Sequence, residues 1–389
     1  MMFADAQHTS TGRAAGPSVP KVLWTYQLPF SYGIAVATDA ATGDDVVYAT
    51  TDGDPAPNGG FHAITSTGKP AWQWVCPDGG YMDCSPSVGS VQEGRAIYVG
   101  ETNAHAVAPN STLLWDVALN AAGPYASSSV LGPDGTVFFG TGSFSLQCYA
   151  YAIFPNGTVR WSISQGILPA NVHVPPAVSA DGSVVYFNWA NQLHALSAAD
   201  GTQLWAADVG GECAPSLGPD GTVYCGSSAF AGANGTRLWS VPLGSPHSCA
   251  YVAAPAGASD SGRLYGIGGD GAIYALSRAT GAVKWSVHTG GGGAAGCVNA
   301  TAFVLDAAGS LFVRDSAGRV LSLSRSTGAV RWNLTLPGEG AAAPTSSLPW
   351  QAGFAMMSDG TLLFGAWNST STVYAIGEKG KGVEGSEIP

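Results

Sequence analysis

Residues 274–285 read YALSRATGAVKW and residues 321–332 read LSLSRSTGAVRW, one phrase met twice, 47 residues apart. Weaker copies of its second half end at Trp72 (TGKPAW), Trp115 (NSTLLW), Trp161 (NGTVRW), Trp205 (DGTQLW) and Trp239 (NGTRLW), and KVLW supplies the tryptophan alone at Trp24. From Trp24 to Trp332 the successive separations are 48, 43, 46, 44, 34, 46 and 47 residues, a degenerate repeat of about 44. A period of this size is the mark of a repeat architecture, so it outranks any local reading of secondary structure.

Within each unit the order is constant. An Asp-Gly turn precedes a β-rich run at Asp134-Gly135 (TVFFG), Asp181-Gly182 (SVVYF), Asp220-Gly221 (TVYCG) and Asp359-Gly360 (TLLFG). Asp and Gly tolerate the turn geometry, and the Val, Tyr and Phe that follow prefer extended backbone. A further run comes next, as in HAI from His62, HAVA from His105, HALS from His194 and YALS from Tyr274, and then the tryptophan opens the last strand. With a small apolar first run, such as SPSVG from Ser85 or APSLG from Ala214, the unit has four short antiparallel strands, the pattern of a propeller blade.

Second strands recur around Val46, Ile97, Val137, Val184, Val223, Leu264, Leu311 and Leu362, which predicts an all-β, eight-bladed propeller. The last unit lacks a tryptophan strand after Tyr374, and KVLWTYQLP from Lys21 is the missing piece. The N-terminal strand is therefore expected to complete the last blade and close the ring, which removes the free edges of an open array. The domain reading is a single propeller over 21–376, with loose tails at 1–20 and 377–389. The tryptophans Trp24, Trp72, Trp115, Trp161, Trp205, Trp239, Trp285 and Trp332 are read as structural, each indole packing on the next blade and finding a backbone acceptor. Trp189, Trp350 and Trp367 lie outside that position, and a binding role is more open for them.

Composition narrows the function. With 15 basic against 26 acidic side chains the formal charge is -11, and no Lys/Arg cluster interrupts it, so nucleic acid is excluded as an expected partner. No apolar run is long enough to cross a bilayer, and MMFADAQHTS at the N-terminus does not read as a signal peptide. Asn-x-Ser/Thr triplets at Asn110, Asn156, Asn234, Asn299, Asn333 and Asn368 lean the reading toward the secretory route. Asn110, Asn156, Asn234 and Asn368 are the candidate glycan acceptors, and a monomer is expected.

The seven cysteines form no C-x-x-C pair, which argues against a thiolate zinc site. Cys76 and Cys84, eight residues apart across PDGGYMD, are the preferred disulfide; Cys213 with Cys225, or Cys249 with Cys297, are weaker alternatives. No base can be placed beside whichever cysteine is left over. His62, His105 and His194 take a place held by Tyr in other units, so they read as packing residues rather than metal ligands. Asp83 and Glu212, each before a cysteine at the start of a first strand, are better placed to meet a cation or polar ligand at a channel mouth, but their blades are separated by two others and solvated rim carboxylates are the plainer reading, so no metal is expected. Phosphate-loop, zinc-protease, kinase, EF-hand and serine-elbow patterns are missing.

DGTVYCG from Asp220, YALSRATGAVKW and RVLSLSRSTGAVRW resemble the repeats of the pyrroloquinoline-quinone-like, or quinoprotein alcohol dehydrogenase-like, propeller superfamily, over roughly 21–376. The resemblance implies a closed propeller and little about chemistry. Dehydrogenases of that superfamily hold a quinone between a tryptophan and a disulfide of adjacent cysteines, with calcium on Glu, Asn and Asp. This chain has no adjacent Cys-Cys pair, and no acidic ligand set matches residue by residue. The expected function is a non-catalytic binding or scaffold propeller for a protein, glycan or small ligand, with no catalytic residue and no cofactor. The alternative is a quinone- and calcium-dependent oxidoreductase acting on an alcohol or sugar.

Overall fold

The computed structural model describes residues 12–378 apart from 29–30, 40–41, 52–58, 78–84, 92–93, 101–102, 120–126, 143–146, 168–173, 212, 244–250, 254–259, 269, 289–302, 315–318, 338–352 and 367–370. The first strand is β1 (Pro20–Leu28). Blades of four consecutive strands follow. They are β2–β5 (Ser31–Thr38, Asp45–Thr51, Gly60–Thr65, Pro70–Val75), β6–β9 (Ser87–Val91, Gly94–Gly100, Asn103–Val107, Leu113–Ala118) and β10–β13 (Val130–Leu131, Val137–Thr141, Gln147–Ile153, Val159–Ile167). Next come β14–β17 (Ala177–Val178, Val184–Trp189, Gln192–Ser197, Gln203–Asp208) and β18–β21 (Ser216–Leu217, Thr222–Cys225, Ser228–Ala231, Arg237–Ser240). Then come β22–β25 (Tyr251–Ala253, Arg263–Ile267, Ile273–Ser277, Val283–Val287) and β26–β29 (Phe303–Leu305, Ser310–Arg314, Arg319–Ser324, Val330–Thr335). The chain ends on β30–β32 (Phe354–Met356, Leu362–Ala366, Ser371–Glu378), whose sheet has the order β1-β32-β31-β30.

The count of eight like blades is corrected by this topology. Among the described residues seven blades are contiguous four-strand repeats, β2–β5 through β26–β29, and the ring is closed by a sheet assembled from both chain ends. The eighth second strand counted from the sequence, β31, belongs to this closing sheet, whose outer strand comes from the opposite terminus, as the placement of KVLWTYQLP anticipated. That outer strand pairs along its whole length, from Pro20 opposite Glu378 to Leu28 opposite Ser371.

First strands of neighbouring sheets touch one another, as in β2 with β6 and β30, β10 with β6 and β14, and β18 with β22. They therefore converge on the axis. Fourth strands carry the exposed alternation, for example in β9, β17 and β29. Between sheets lie the cores. One cluster joins Phe138 and Trp161 to Phe187 and Leu196, another joins Tyr186 and Val223 to Phe230, and a third joins Trp24 and Leu28 to Ile34, Val47 and Ala375. Burial between sheets rather than within one is why no blade is stable alone.

The repeat phrase has a physical meaning that spans two blades. Its tryptophan donates the indole N–H to a backbone carbonyl in the third-to-fourth-strand turn of the next sheet: Trp24 to Ser66 (2.9 Å), Trp115 to Pro155 (2.8 Å), Trp161 to Ala198 (3.0 Å), Trp205 to Gly232 (2.8 Å), Trp239 to Arg278 (2.8 Å) and Trp285 to Arg325 (3.0 Å). The glycine of that turn lies against the same indole. Gly235, at φ +71°, would bring a Cβ to 2.6 Å from the Trp205 ring, and Gly328, at φ +76°, to 2.8 Å from the Trp285 ring. A side chain would meet both a disfavoured backbone and a filled space. A β-bulge just before each tryptophan, as between Ala275 and Leu276 opposite Trp285 and Val283, turns the indole toward the neighbouring blade.

At the closing sheet that turn is split between the termini, and residues before β1 take its place. Trp332 donates to Pro17 O (2.7 Å), and the Glu378 carboxylate accepts from Ser18 N (2.6 Å), Ser18 Oγ (2.8 Å) and Val19 N (3.1 Å). Gly12 N donates to Leu305 O (2.7 Å), and Gly16 N to the buried Asp306 Oδ2 (3.0 Å). The expectation of a loose tail up to residue 20 is corrected for residues 12–19, which are bonded to β26, its following turn and β32. Residues 1–11 and 379–389 lie outside the described part.

Candidate functional site

Among the described residues six of the channel-facing first strands are only two or three residues long. Between β6 and β10 the wall is a hydroxyl network: Ser85 N donates to Ser128 Oγ (2.9 Å), the Ser87 and Ser129 hydroxyls lie 2.7 Å apart, and Gly140 N donates to Ser127 Oγ (2.9 Å). All these serines are buried and spend their groups on neighbouring strands. They act as wall.

A second polar cluster lies where β15 meets the start of β18. A disulfide joins Cys213 to Cys225 within one blade, and Asn188 Nδ2 lies 3.2 Å from Gly211 O and from Cys213 Sγ. Asn188 Oδ1 is buried with no hydrogen-bond partner among the described residues, which makes it an acceptor for an incoming N–H or a water. Next to it Trp189 is 3% exposed and stacks on Phe187 at a 4.5 Å centroid distance, so it is core rather than a ligand platform. The disulfide is the pairing ranked below Cys76–Cys84 in the sequence; Cys84 lies outside the described residues, as do Cys249 and Cys297.

This disulfide staples the shortest blade, where β18 has two residues and β19, β20 and β21 have four each. Closing a loop of 12 residues restricts the unfolded chain by about 3 kcal/mol in the chain-entropy picture. Replacing both cysteines by serine is expected to lower the urea midpoint accordingly; an unchanged midpoint would show that the link contributes no stability.

The three histidines do not come together. His62 Nδ1 faces Tyr26 OH (3.3 Å), His194 Nδ1 faces Gln203 Oε1 (2.8 Å), and His105 is buried near Cys76 and Asp116 on a third sheet interface. Asp83, Glu212, Trp350, Trp367, Asn299 and Asn368 lie outside the described residues. Asn110, Asn156 and Asn234 are exposed at equivalent turns, where each Oδ1 accepts the N–H of the residue two further on, from Thr112 (3.1 Å), Thr158 (3.0 Å) and Thr236 (3.0 Å).

Buried charge is used between blades. Arg325 and Asp260, both nearly inaccessible, pair at 3.2 Å across two sheets, and the Tyr265 hydroxyl donates to the same carboxylate. At the preceding interface Arg278 reaches Asp220 at 3.7 Å, but that carboxylate is exposed. Burial, then the neighbouring Asp181 carboxylate, pushes the Tyr186 phenol up to about 12.

Turn carboxylates are held low. The Thr202 hydroxyl and N–H, with Ser197, bring Asp200 to about 2, and the Ser179 hydroxyl and Ser183 hold Asp181 below its ordinary range. Because these folded-state values are depressed, the stability they contribute is present above the unfolded carboxylate value and disappears as pH falls through the folded one. The urea midpoint should therefore stay level from pH 7 down to about 5 and fall between about pH 4 and 2. Asp181→Asn should remove part of that fall, and an acid limb identical to the parent's would contradict the assignment.

The sequence model of the family described as outer membrane protein assembly factor BamB matches residues 100–237, 220–296 and 269–363, well over half of the chain, and the protein belongs to that PQQ-like repeat family. No curated protein matches the sequence. Among solved structures, BamB from Moraxella catarrhalis superposes with a TM-score of 0.60 at 16% identity, covering 92% of this chain and 97% of that one. Quinohemoprotein alcohol dehydrogenase from Comamonas testosteroni gives 0.68 at 12% identity, covering 99% and 81%, and a europium-containing methanol dehydrogenase gives 0.66 at 11%, covering 97% and 97%. At these identities the likeness concerns the fold, a PQQ-like propeller.

That fold raises a quinone and a metal, and the described residues can be tested for fit. No three His, Cys, Asp or Glu side chains among them gather as a cation site, and the described disulfide joins positions 12 residues apart on one blade rather than neighbours in sequence. The described residues do not fit the group, and no reaction step is derived through it.

Proposed function

We propose that this chain is a binding propeller, a rigid ring that presents its loop face and channel ends to a protein, glycan or small ligand. The observation that carries the reading is the family match over 100–363, together with the use made of the described buried polar groups. Those groups act between strands and blades: the indole N–H bonds, Arg325 with Asp260, the serine network and the Cys213–Cys225 link. A ring whose described residues carry such an indole bond at seven interfaces, with loops between the strands, suits recognition.

A quinone- and calcium-dependent oxidoreductase of alcohols or sugars is the second reading. Likeness of shape favours it, since both dehydrogenase structures superpose with higher TM-scores than BamB does. The deciding experiment incubates the purified protein with pyrroloquinoline quinone and either Ca2+ or Eu3+, following quinone absorbance and dye-linked alcohol oxidation. The binding reading expects neither stoichiometric quinone uptake nor turnover; both together would replace it with the second.

An extracytoplasmic location belongs to the same proposal. A buried structural disulfide is at home in an oxidising compartment, and exposed Asn110, Asn156 and Asn234 suit glycan attachment there. No helix among the described residues is long and apolar enough to cross a membrane.

A further inference from the structure

Residues 12–19 lie outside the strands, yet they are held as a bound peptide is held. They cross the seam between β26–β29 and the closing sheet, from the end of an axis-side strand to an outer one. Gly12 N donates to Leu305 O (2.7 Å), Ala307 N to Ala14 O (3.1 Å), Gly16 N to Asp306 Oδ2 (3.0 Å) and the Trp332 indole to Pro17 O (2.7 Å). In these bonds the segment uses backbone groups alone. Its side chains alternate: Gly12, Ala14 and Gly16 are half-buried, Arg13 and Ala15 are exposed, and Pro17 is buried. The inward positions admit small residues because the floor is already filled. A Cβ on Gly12 would run into the Met356 sulfur, and one on Gly16 into the ring of the fully buried Phe312.

Main-chain bonds that any extended chain can make, combined with a size filter at alternate positions, are a general mode of peptide recognition. The wall of the seam is set without the segment: the second oxygen of Asp306 accepts Ser310 N (2.6 Å), which fixes the carboxylate from β27. Closure of the ring is also independent of it. The β1–β32 register starts at Pro20 opposite Glu378, and Glu378 holds Ser18 and Val19. Filling the seam and closing the ring therefore fall on different residues. We infer that this seam is a peptide-docking groove with residues 12–17 as its tethered occupant, and that its partner is an extended polypeptide segment carrying Gly, Ala or Ser at three alternate positions followed by Pro. The partner rests on the binding reading above, to which the groove gives a place on the ring. A tethered occupant acts at an effective concentration on the order of millimolar, so an incoming segment has to outcompete it and mismatched chains are kept out.

A chain starting at Ser18 keeps β1 and the Glu378 contacts and is expected to unfold cooperatively. In fluorescence anisotropy it should bind a labelled peptide of residues 10–17 (STGRAAGP) saturably, and the full-length protein should bind it at least about tenfold more weakly because its own segment competes. Gly16→Val in the peptide should weaken binding at least about tenfold, since the added methyls meet a filled floor. Arg13→Glu, at an exposed position, should leave it within about twofold. Unrelated peptides with small residues at the inward positions and Pro next should bind like the chain's own, and the same peptides with Leu there should not. Full-length Gly16→Val, which keeps the whole chain but cannot seat its own segment, covers a shortened chain that fails to fold. It should bind the labelled peptide at least about tenfold more tightly than the parent protein does. No saturable binding to either variant overturns the groove, as does binding indifferent to Gly16→Val in the peptide. Binding of the chain's own peptide but of none of the unrelated ones overturns the partner class. Quinone uptake with turnover would end the binding reading and leave these peptide results standing.

Discussion

A chain lacking residues 1–28 is expected to show no cooperative thermal transition and to aggregate on size exclusion. The deletion removes the outer strand of the closing sheet along its full register with β32 and takes Trp24 and Leu28 out of the core shared with Ile34, Val47 and Ala375. Losing a buried Trp and a buried Leu costs roughly 3–5 and 2–5 kcal/mol. Their sum is comparable to the 5–15 kcal/mol by which a domain is usually stable. The loss also leaves β32 as an open edge next to the vacated core. Adding a synthetic peptide of residues 12–28 should restore part of the transition, because it carries Pro17, Ser18 and Val19, which bond Trp332 and Glu378. A truncated chain that melts like the parent would rule out the closing role.

Trp161→Ala is expected to destabilise by about 3–5 kcal/mol. The indole is 8% exposed, tilts on Phe138 at 5.9 Å, and donates to Ala198 O in the next blade. Trp161→Phe keeps most of the packing but leaves that carbonyl without its donor, so it should cost less than half as much. The partner glycine tests the two-blade logic. Gly201 sits at φ +75°, and a Cβ there would meet Ile163 Cδ1 at 2.5 Å and the Trp161 ring at 3.0 Å. Gly201→Ala should therefore cost less in the Trp161→Ala background than in the parent, by about 1 kcal/mol of coupling in a double-mutant cycle read by urea unfolding. Additive effects would mean that the two residues do not share an interface.

This coupling also explains what could be read from the chain alone. A Gly and a Trp in one short phrase serve two different neighbours, so the phrase recurs wherever a blade has a neighbour on each side, and period, strand order and closure follow from it. Contacts that cross a blade boundary without repeating left no such trace. The histidine near the Cys76 sulfur comes from the third strand of the next sheet, 29 positions on, a contact no spacing announces. The Cys213–Cys225 link was visible as two cysteines on adjacent strands, but nothing in the spacing ranked it first. Residues 12–17 carry no apolar period; their role rests on backbone groups such as Gly12 N and Pro17 O, which a sequence does not display. The count of units is corrected at the closing sheet, which is not a contiguous repeat: its outer strand is KVLWTYQLP from the other end of the chain, as the sequence indicated, so only seven blades are four-strand repeats in one stretch.

Hydrogen–deuterium exchange of the intact protein tests the closure most directly. Peptides covering 20–28 and 371–378 should be protected to the same degree and should lose protection together as urea is raised, because β1 and β32 share one ladder. Exchange of 20–28 at the rate of unstructured chain, while 371–378 stays protected, would contradict the account.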